Sequence, residues 1–274
     1  NRLAVRVTRD EDGIHYLPSV GGLATGLSSV ASDEAGETLW VGWSGIPEDE
    51  LASTEQQTIR DTLRSEHGAI AVPISSDELE LFYAGFCNDT IWPLFHYFPT
   101  YTEYKREAWE SYREINQRFF EVLAPEIRSG ARIWVHDYQL MLLPGMIKKQ
   151  FPDVEVGFFL HIPFPSYEIF RLLPWRETVL EGLLGADLIG FHTYDYARHF
   201  LSSVRRVLGH DHSMGVIQTD KRAVKVDVFP MGIDWDRFVD AGETPVVQEL
   251  LQTVREQYAG QKLVLSVDRL DYSK

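Results

Sequence analysis

Two polar residues with side chains that can position a ligand come directly after predicted strands. His161 follows the apolar run 154–160, and two nearby prolines prevent that strand from continuing. Asp137 follows a second predicted strand, 132–136, in the same way. Ligands bind at the carboxyl ends of strands in open parallel α/β sheets, so we expect a site at this edge. A hydrogen bond to the loop backbone is the alternative interpretation for His161.

Two further groups of residues could bind a phosphorylated ligand. Gly21 and Gly22 precede an apolar helix, where the backbone can approach a ligand and free amides attract phosphate. Arg269 and Lys274 come after a strand predicted at 263–267 and could hold a diphosphate, one as a bidentate fork and one as a point charge. An ordinary loop for the glycines and a solvated charged loop for the basic pair are the alternatives.

Acidic pairs of the D-x-D form occur twice, and this pattern can bind a metal ion. At 10–12 it lies in a turn between two short alternating runs, which is typical of a hairpin tip. At 234–236 it precedes an apolar residue, which is typical of a helix N-cap. We therefore predict no metal site and no cofactor.

The elements that must position these residues alternate between strand and helix along most of the chain. We predict strands at 38–43, 69–74, 132–136, 154–160, 187–191, 224–229 and 263–267. We predict helices at 77–88, 104–127, 166–184, 194–208 and 244–258. In the third of these helices Ser166 is the expected cap, and Leu172 belongs to the expected apolar face. Such alternation predicts a parallel sheet that helices cover on both faces.

Composition limits the classes of partner. The 274 residues carry 26 basic and 41 acidic side chains, a net charge of −15, which argues against nucleic-acid or anionic-membrane binding but not against a small anion. The single cysteine, Cys87, excludes an intrachain disulfide and fits a reducing cytoplasm. We find no signal peptide and no apolar run long enough to span a bilayer. A homo-oligomer is compatible with this composition.

Together the motifs resemble those of one family, the trehalose-6-phosphate synthases. The matching segments are 1–3 (NRL), 21–24 (GGLA), 40–45 (WVGWSG), 88–97 (NDTIWPLFHY), 134–138 (WVHDY), 157–165 (GFFLHIPFP), 190–193 (GFHT) and 267–274 (VDRLDYSK). The resemblance implies an α/β fold of the two-domain B-type glycosyltransferase kind. It also implies retaining transfer of glucose from UDP-glucose, or another nucleotide-glucose, to glucose 6-phosphate.

The resemblance assigns acceptor contacts to four positions. Arg2 is similar to the arginine that holds the 6-phosphate of glucose 6-phosphate. Tyr83 and Trp92 are similar to its other acceptor contacts, and Trp92 also shapes the sugar pocket. Asp137 matches the aspartate that hydrogen-bonds the acceptor sugar.

The donor side is assigned in the same way. Gly21 and Gly22 match the glycine loop that contacts the nucleotide-sugar, and His161 matches the histidine beside the donor glucose. Arg269 and Lys274 match the basic pair on the donor diphosphate. A pair of this kind would stabilise the negative charge that grows on the departing phosphate without a metal.

The resemblance further implies two domains and a longer protein. Residues 1–232 correspond to the acceptor-side Rossmann-like domain without its first strand. Residues 233–274 correspond to a linker and the start of a second Rossmann-like domain, the one that binds the nucleotide-sugar. We expect a longer polypeptide, and we expect this piece alone to be inactive. A glucosylglycerol-phosphate synthase and a non-catalytic relative that senses sugar phosphate are the alternative functions.

Overall fold

The computed structural model divides the chain into two compact units, residues 1–230 and 231–274, which are described separately below. The structure describes residues 2–19, 38–220, 222–233, 235–267 and 271–273. The domain boundary that we predict at residue 232 stays a prediction.

Four short strands at the beginning of the first unit form two pairs. Strands β1 (Val5–Asp10) and β2 (Gly13–Pro18) form an antiparallel hairpin. Strands β3 (Trp40–Gly42) and β4 (Ala69–Ala71) pair in parallel. The expected hairpin tip is present, because the Asp10 carboxylate accepts a hydrogen bond from a backbone N–H two residues later, at 2.9 Å.

A six-stranded sheet forms the centre of the first unit. Its strands are β5 (Arg132–His136), β6 (Glu155–Phe159), β7 (Leu188–Phe191), β8 (His212–Ser213), β9 (Val216–Gln218) and β10 (Ala223–Val228). The spatial order is β5-β6-β7-β10-β9-β8. The first four of these are mutually parallel, as the alternation predicts, but β9 and β8 add an antiparallel edge. Sequence analysis misses this edge because its strands are too short to show a pattern.

Helices surround these strands. In the first unit they are α1 (Ser53–His67), α2 (Ser76–Leu79), a π-helix (Glu80–Ile91), α3 (Trp92–Phe95), α4 (Arg106–Leu123), α5 (Leu143–Gln150), α6 (Tyr167–Phe170), α7 (Arg176–Leu183) and α8 (Tyr194–Leu208). Short 3-10 turns lie at Glu48–Glu50, Pro99–Tyr101, Ala124–Glu126 and Tyr138–Leu140. Within the described ranges, every helix is too short or too polar to cross a membrane.

The long helix predicted at 166–184 is wrong. The structure has two helices there, α6 and α7, because Pro174 has no backbone N–H to continue the first one. Ser166 lies at the N-cap position of α6, but its side chain makes no capping hydrogen bond. Its backbone N–H instead donates to the Tyr97 hydroxyl at 2.8 Å. Leu172 lies between the two helices and is 46% exposed, so the expected apolar face ends before it.

The second unit contains two helices in its described part, α9 (Trp235–Ala241) and α10 (Pro245–Gln257). The strand predicted at 263–267 is wrong, since these residues have no strand assignment and Val264 is 97% exposed. A strand needs a neighbour for its backbone hydrogen bonds. The described residues of this unit contain no strand that could pair with residues 263–267.

Candidate active site

The carboxyl ends of β5 and β6 bring Asp137 and His161 together. The Asp137 carboxylate accepts backbone hydrogen bonds from Tyr138 at 3.0 Å and from His161 at 3.2 Å. The two strands are also tied there by the backbone N–H of Asp137, which donates to the carbonyl of Phe159 at 2.8 Å. The side chain of Asp137 therefore fixes the backbone at which the second strand turns into its loop.

Asp137 has a strained backbone. Its φ is 73° and its ψ is 172°, a region that residues with a Cβ rarely occupy. Such a conformation costs about 1–3 kcal/mol and is found mainly where function requires it. The strain is a reason, independent of the sequence motif, to place Asp137 in a functional site.

Helix α4 holds the loop that follows Asp137. The buried Tyr112 hydroxyl donates to the carbonyl of Tyr138 at 2.9 Å and accepts from the N–H of Met141 at 3.0 Å. The buried amide of Asn116 donates to the carbonyl of Gln139 at 3.0 Å. Because buried polar groups without partners are unfavourable, these bonds impose one conformation on the loop. The strained backbone of Asp137 is thus supported from the core.

Three histidines lie in a row along the same sheet edge. In the sheet register, His136 is paired with Phe159 and Phe159 with Gly190. His161 and His192 each lie two residues beyond these partners, and residues two apart share a face of a sheet. Nδ1 of His136 lies 3.1 Å from Nε2 of His161, and the rings of His161 and His192 have centroids 5.6 Å apart.

Glycine makes room for this row. A Cβ at Gly190 would lie 2.6 Å from the ring of Phe159, so the ring occupies the space that a side chain would need. The Phe159 ring in turn packs against His161 at 4.6 Å and His192 at 5.0 Å between centroids. Sequence analysis identifies His161 but misses His136 and His192. The same position at a strand end, applied to 132–136 and 187–191, could have found both.

Burial decides the charge state of these groups. It lowers the pKa of His136 to about 3 and that of His161 to about 4, and a neighbouring imidazole adds to each shift. Burial also lowers the pKa of His192. The same desolvation raises the pKa of Asp137 to about 6, although its two backbone N–H donors oppose the shift. At neutral pH the edge therefore presents neutral imidazoles and an ionised carboxylate.

Arg2 lies between two aromatic rings. Its guanidinium carbon is 5.5 Å from the centroid of Trp43 and 5.3 Å from that of Tyr83, which is cation–π geometry. An isolated parallel β-bridge joins the backbones of Arg2 and Trp43. The Arg2 backbone also passes so close to Gly42 that a Cβ added at Gly42 would lie 2.8 Å from it. The side chain remains exposed, so its charge is available to an anion. Trp43 is a contact that sequence analysis does not single out.

The π-helix positions Tyr83 and Trp92. Sequence analysis predicts an ordinary helix at 77–88, whereas the structure has twelve residues of π-helix at Glu80–Ile91, and the N–H of Trp92 donates five residues back to Cys87. Tyr83 and Trp92 are nine residues apart, and a π-helix has more residues per turn than an α-helix because its hydrogen bonds span five residues. In an α-helix the same spacing is two and a half turns. An α-helix would therefore put them on opposite sides, whereas in the structure Tyr83 and Trp92 both lie near Tyr138.

Tyr138 connects this aromatic group to the sheet edge. Its ring centroid lies 5.9 Å from that of Trp92. Burial raises the pKa of Tyr138 far above its ordinary value, and the neighbouring Asp137 and Tyr83 add to the shift. The structure therefore brings four of the predicted site residues into one neighbourhood with Arg2 at its rim: Tyr83, Trp92, Asp137 and His161.

The remaining predicted residues are not placed. Gly21, Gly22, Arg269 and Lys274 lie outside the described residues, and so does Asp234 of the second D-x-D pattern. In the part of the chain that the structure describes, no three His, Cys, Asp or Glu side chains are grouped as a metal site. The predictions that no metal and no cofactor are needed stay predictions.

Similar proteins of known sequence cover the whole of this chain. A bifunctional trehalose-6-phosphate synthase/phosphatase of Thermoproteus tenax is 44% identical over 283 residues. A UDP-forming alpha,alpha-trehalose-phosphate synthase of Botryotinia fuckeliana is 42% identical over 279 residues. Each alignment takes in 100% of this chain but only 38% of the first relative and 52% of the second. The chain thus spans about half or less of the length of these relatives.

Similar solved structures support the same family. A UDP-forming alpha,alpha-trehalose-phosphate synthase of Burkholderia vietnamiensis has a TM-score of 0.81 and 30% identity, covering 99% of this chain and 56% of that one. A Burkholderia xenovorans synthase in complex with glucose-6-phosphate has a TM-score of 0.76 and 29% identity, covering 93% and 56%.

The fold matches that of the B-type glycosyltransferases, as the sequence resemblance implies. The family model for glycosyltransferase family 20 matches residues 1–274. The chain belongs to glycosyltransferase family 20, and the trehalose-6-phosphate synthase resemblance is confirmed.

Proposed function

We propose that the intact protein transfers glucose from UDP-glucose to glucose 6-phosphate with retention, releasing UDP and forming α,α-trehalose 6-phosphate. The names of its relatives support a UDP-forming synthase. The observation that carries the proposal is local: Arg2 packs against the ring of Tyr83, Tyr83 lies near Tyr138, and Tyr138 directly follows Asp137. An anion site beside sugar-binding groups suits a sugar phosphate.

In this proposal the acceptor lies along the first unit. Arg2 holds the 6-phosphate through a charge-assisted hydrogen bond, and Tyr83 and Trp92 pack against the sugar. Asp137, ionised at neutral pH, accepts hydrogen bonds from acceptor hydroxyls. Holding the acceptor in one orientation beside the donor lowers the entropy cost of bringing the two reactants together.

The donor glucose lies beside the neutral imidazole of His161. Glycosyl transfer passes through an oxocarbenium-like state while negative charge grows on the leaving diphosphate. Arg269 and Lys274 would stabilise that charge, and the leaving phosphate would accept the proton of the incoming hydroxyl. Asp137 and His161 then position sugars rather than act as nucleophile and base. No metal is needed in this scheme, so activity should survive a chelator.

Acceptor choice tests the proposal. The intact protein is incubated with UDP-glucose and with glucose 6-phosphate, glycerol 3-phosphate or no acceptor, and UDP release is measured. We expect release with glucose 6-phosphate far above the other two. Release mainly with glycerol 3-phosphate would show a glucosylglycerol-phosphate synthase. Binding of glucose 6-phosphate without UDP release would show a non-catalytic sugar-phosphate sensor.

A further inference from the structure

We propose that His136 is a positioning residue for His161: it hydrogen-bonds Nε2 of His161 and leaves Nδ1 as the ring nitrogen that meets the donor sugar. The role of Nδ1 toward a sugar rests on the proposed function. The imidazole pair itself rests on geometry alone, since the two facing nitrogens are 3.1 Å apart.

The backbone gives the pair little freedom. His136 is the last residue of β5 and is paired with Phe159, the last residue of the neighbouring strand β6. His161 lies two residues after Phe159. The N–H of His161 is held by the Asp137 carboxylate at 3.2 Å. Because both residues sit at the ends of adjacent paired strands, the distance between their side chains is set by the sheet.

Ring packing fixes the plane of His161. The Phe159 ring packs beside it at 4.6 Å between centroids, and His192 meets it edge-on at 5.6 Å with an interplanar angle of 64°. These contacts hold the plane but cannot distinguish the ring from its flipped form. The hydrogen bond to His136 makes that distinction, because a flip would remove Nε2 from Nδ1 of His136.

The pair also decides what Nδ1 of His161 does. In a neutral imidazole one nitrogen donates and the other accepts. If His136 donates to Nε2, the proton of His161 lies on Nδ1, which then donates to a sugar hydroxyl. If Nε2 donates to His136, Nδ1 accepts. The hydrogen bond therefore couples the two rings: His161 changes its tautomer only when His136 changes its own, and Nδ1 of His161 has a single role in each arrangement.

The surroundings favour a neutral pair. Among the described residues, His192 from the end of β7 and the carboxylate of Asp137 are titratable groups that face it. Trp134 covers His136 from the same strand at 4.5 Å, and Phe159 covers His161. Burial, together with the neighbouring imidazoles, holds the pKa values of both rings well below neutral. A doubly protonated pair could not form the bond, since both nitrogens would be donors.

Three substitutions separate a hydrogen-bonding role from a packing role. In the intact protein, His136→Asn keeps a polar atom where Nδ1 lies, His136→Gln places one where Nε2 lies, and His136→Phe keeps only a ring. His15→Asn is the matched control, because His15 is on the exposed β1–β2 hairpin and pairs with Asp10 there. Thermal unfolding of each variant shows that it is folded.

The first readout is ¹⁵N NMR of the histidine rings without substrate. We expect His136→Phe and His136→Gln to move the ring-nitrogen signals of His161 toward averaged tautomers. His136→Asn and the control should leave them near the wild-type positions. Unchanged His161 ring-nitrogen signals in His136→Phe would overturn the proposal, regardless of the kinetic result.

The second readout is steady-state kinetics. Loss of a hydrogen bond of this kind corresponds to roughly a 10-fold effect. We expect about that fall in kcat for the Phe and Gln variants, an acceptor KM nearly unchanged, and recovery of most of the rate in His136→Asn. Equal loss in all three variants would show packing alone and overturn the proposal. Lack of UDP release by the wild type would instead refute the proposed function. The NMR result would still show whether His136 and His161 form the hydrogen bond.

Discussion

Replacing Asp137 by Asn should make the protein more stable at neutral pH and less active. Asn is nearly isosteric and keeps an oxygen that can accept from the N–H groups of Tyr138 and His161. It has no charge to bury. Because burial raises the pKa of Asp137, the ionised carboxylate destabilises the folded state, and the amide removes that cost.

The size of the effect follows from linkage. The pKa of the folded carboxyl is raised from 3.8 to about 6. The folded state therefore binds the proton more tightly, and wild-type stability falls as pH rises from about 4 to about 6. At about 1.4 kcal/mol per pH unit this amounts to at most about 3 kcal/mol above pH 6, and less where solvent reaches the partly buried carboxylate. The Asp137→Asn variant has no such decline, because an amide does not titrate in this range.

The assay compares thermal unfolding of wild type and Asp137→Asn between pH 4 and pH 8. We expect the difference in Tm to grow across this range by about 5 °C and to level off above pH 6. Altered hydrogen bonding would shift the Tm of the variant by the same amount at every pH and would leave the pH dependence of the difference unchanged. Parallel curves would refute the raised pKa and the buried charge. Full activity in the variant would refute a role for the carboxylate in binding sugar.

Other substitutions separate the acceptor side from the donor side in steady-state kinetics of the intact protein. Arg2→Ala should raise the acceptor KM about 30- to 1000-fold, because a charge-assisted bond is worth roughly 2–4 kcal/mol, and Arg2→Lys should recover only part of it. An unchanged KM in both would make Arg2 structural. Arg269→Ala and Lys274→Ala should each lower kcat about 10²- to 10³-fold and weaken donor binding, and the double variant should lose less than the summed effects. Effects on the acceptor KM alone would contradict the diphosphate role. Trp92→Ala should weaken acceptor binding and leave donor affinity nearly intact. Weaker donor binding with unchanged acceptor binding would show that Trp92 belongs to the donor side.

Much of the fold follows from local patterns in the sequence. Strand β5 and helix α8 have the predicted bounds, 132–136 and 194–208, because the residue types at their ends indicate where each element begins and ends. Helix α8 begins after Thr193, whose side chain accepts the capping bond, and ends at Gly209 in the left-handed conformation. The meeting of Asp137 and His161 also follows, since parallel strands end at one edge.

The rest depends on contacts that a local pattern does not encode. The π-helix is apolar on most sides, so its residues fit either helical period, and the choice depends on packing against α4. The apolar residues 263–267 favour a strand, but pairing requires a neighbour. The row of histidines depends on the register of three strands, which only the assembled sheet determines.

The most direct test of the proposed activity is NMR of the reaction itself. The intact protein is incubated with glucose 6-phosphate and with UDP-glucose carrying ¹³C at C1 of its glucose. We predict that the label appears in a product whose two anomeric carbons are both α and which keeps a 6-phosphate, with one UDP released for each product formed. Label in a β-anomer, in free glucose alone or still in UDP-glucose would contradict a retaining transfer to glucose 6-phosphate.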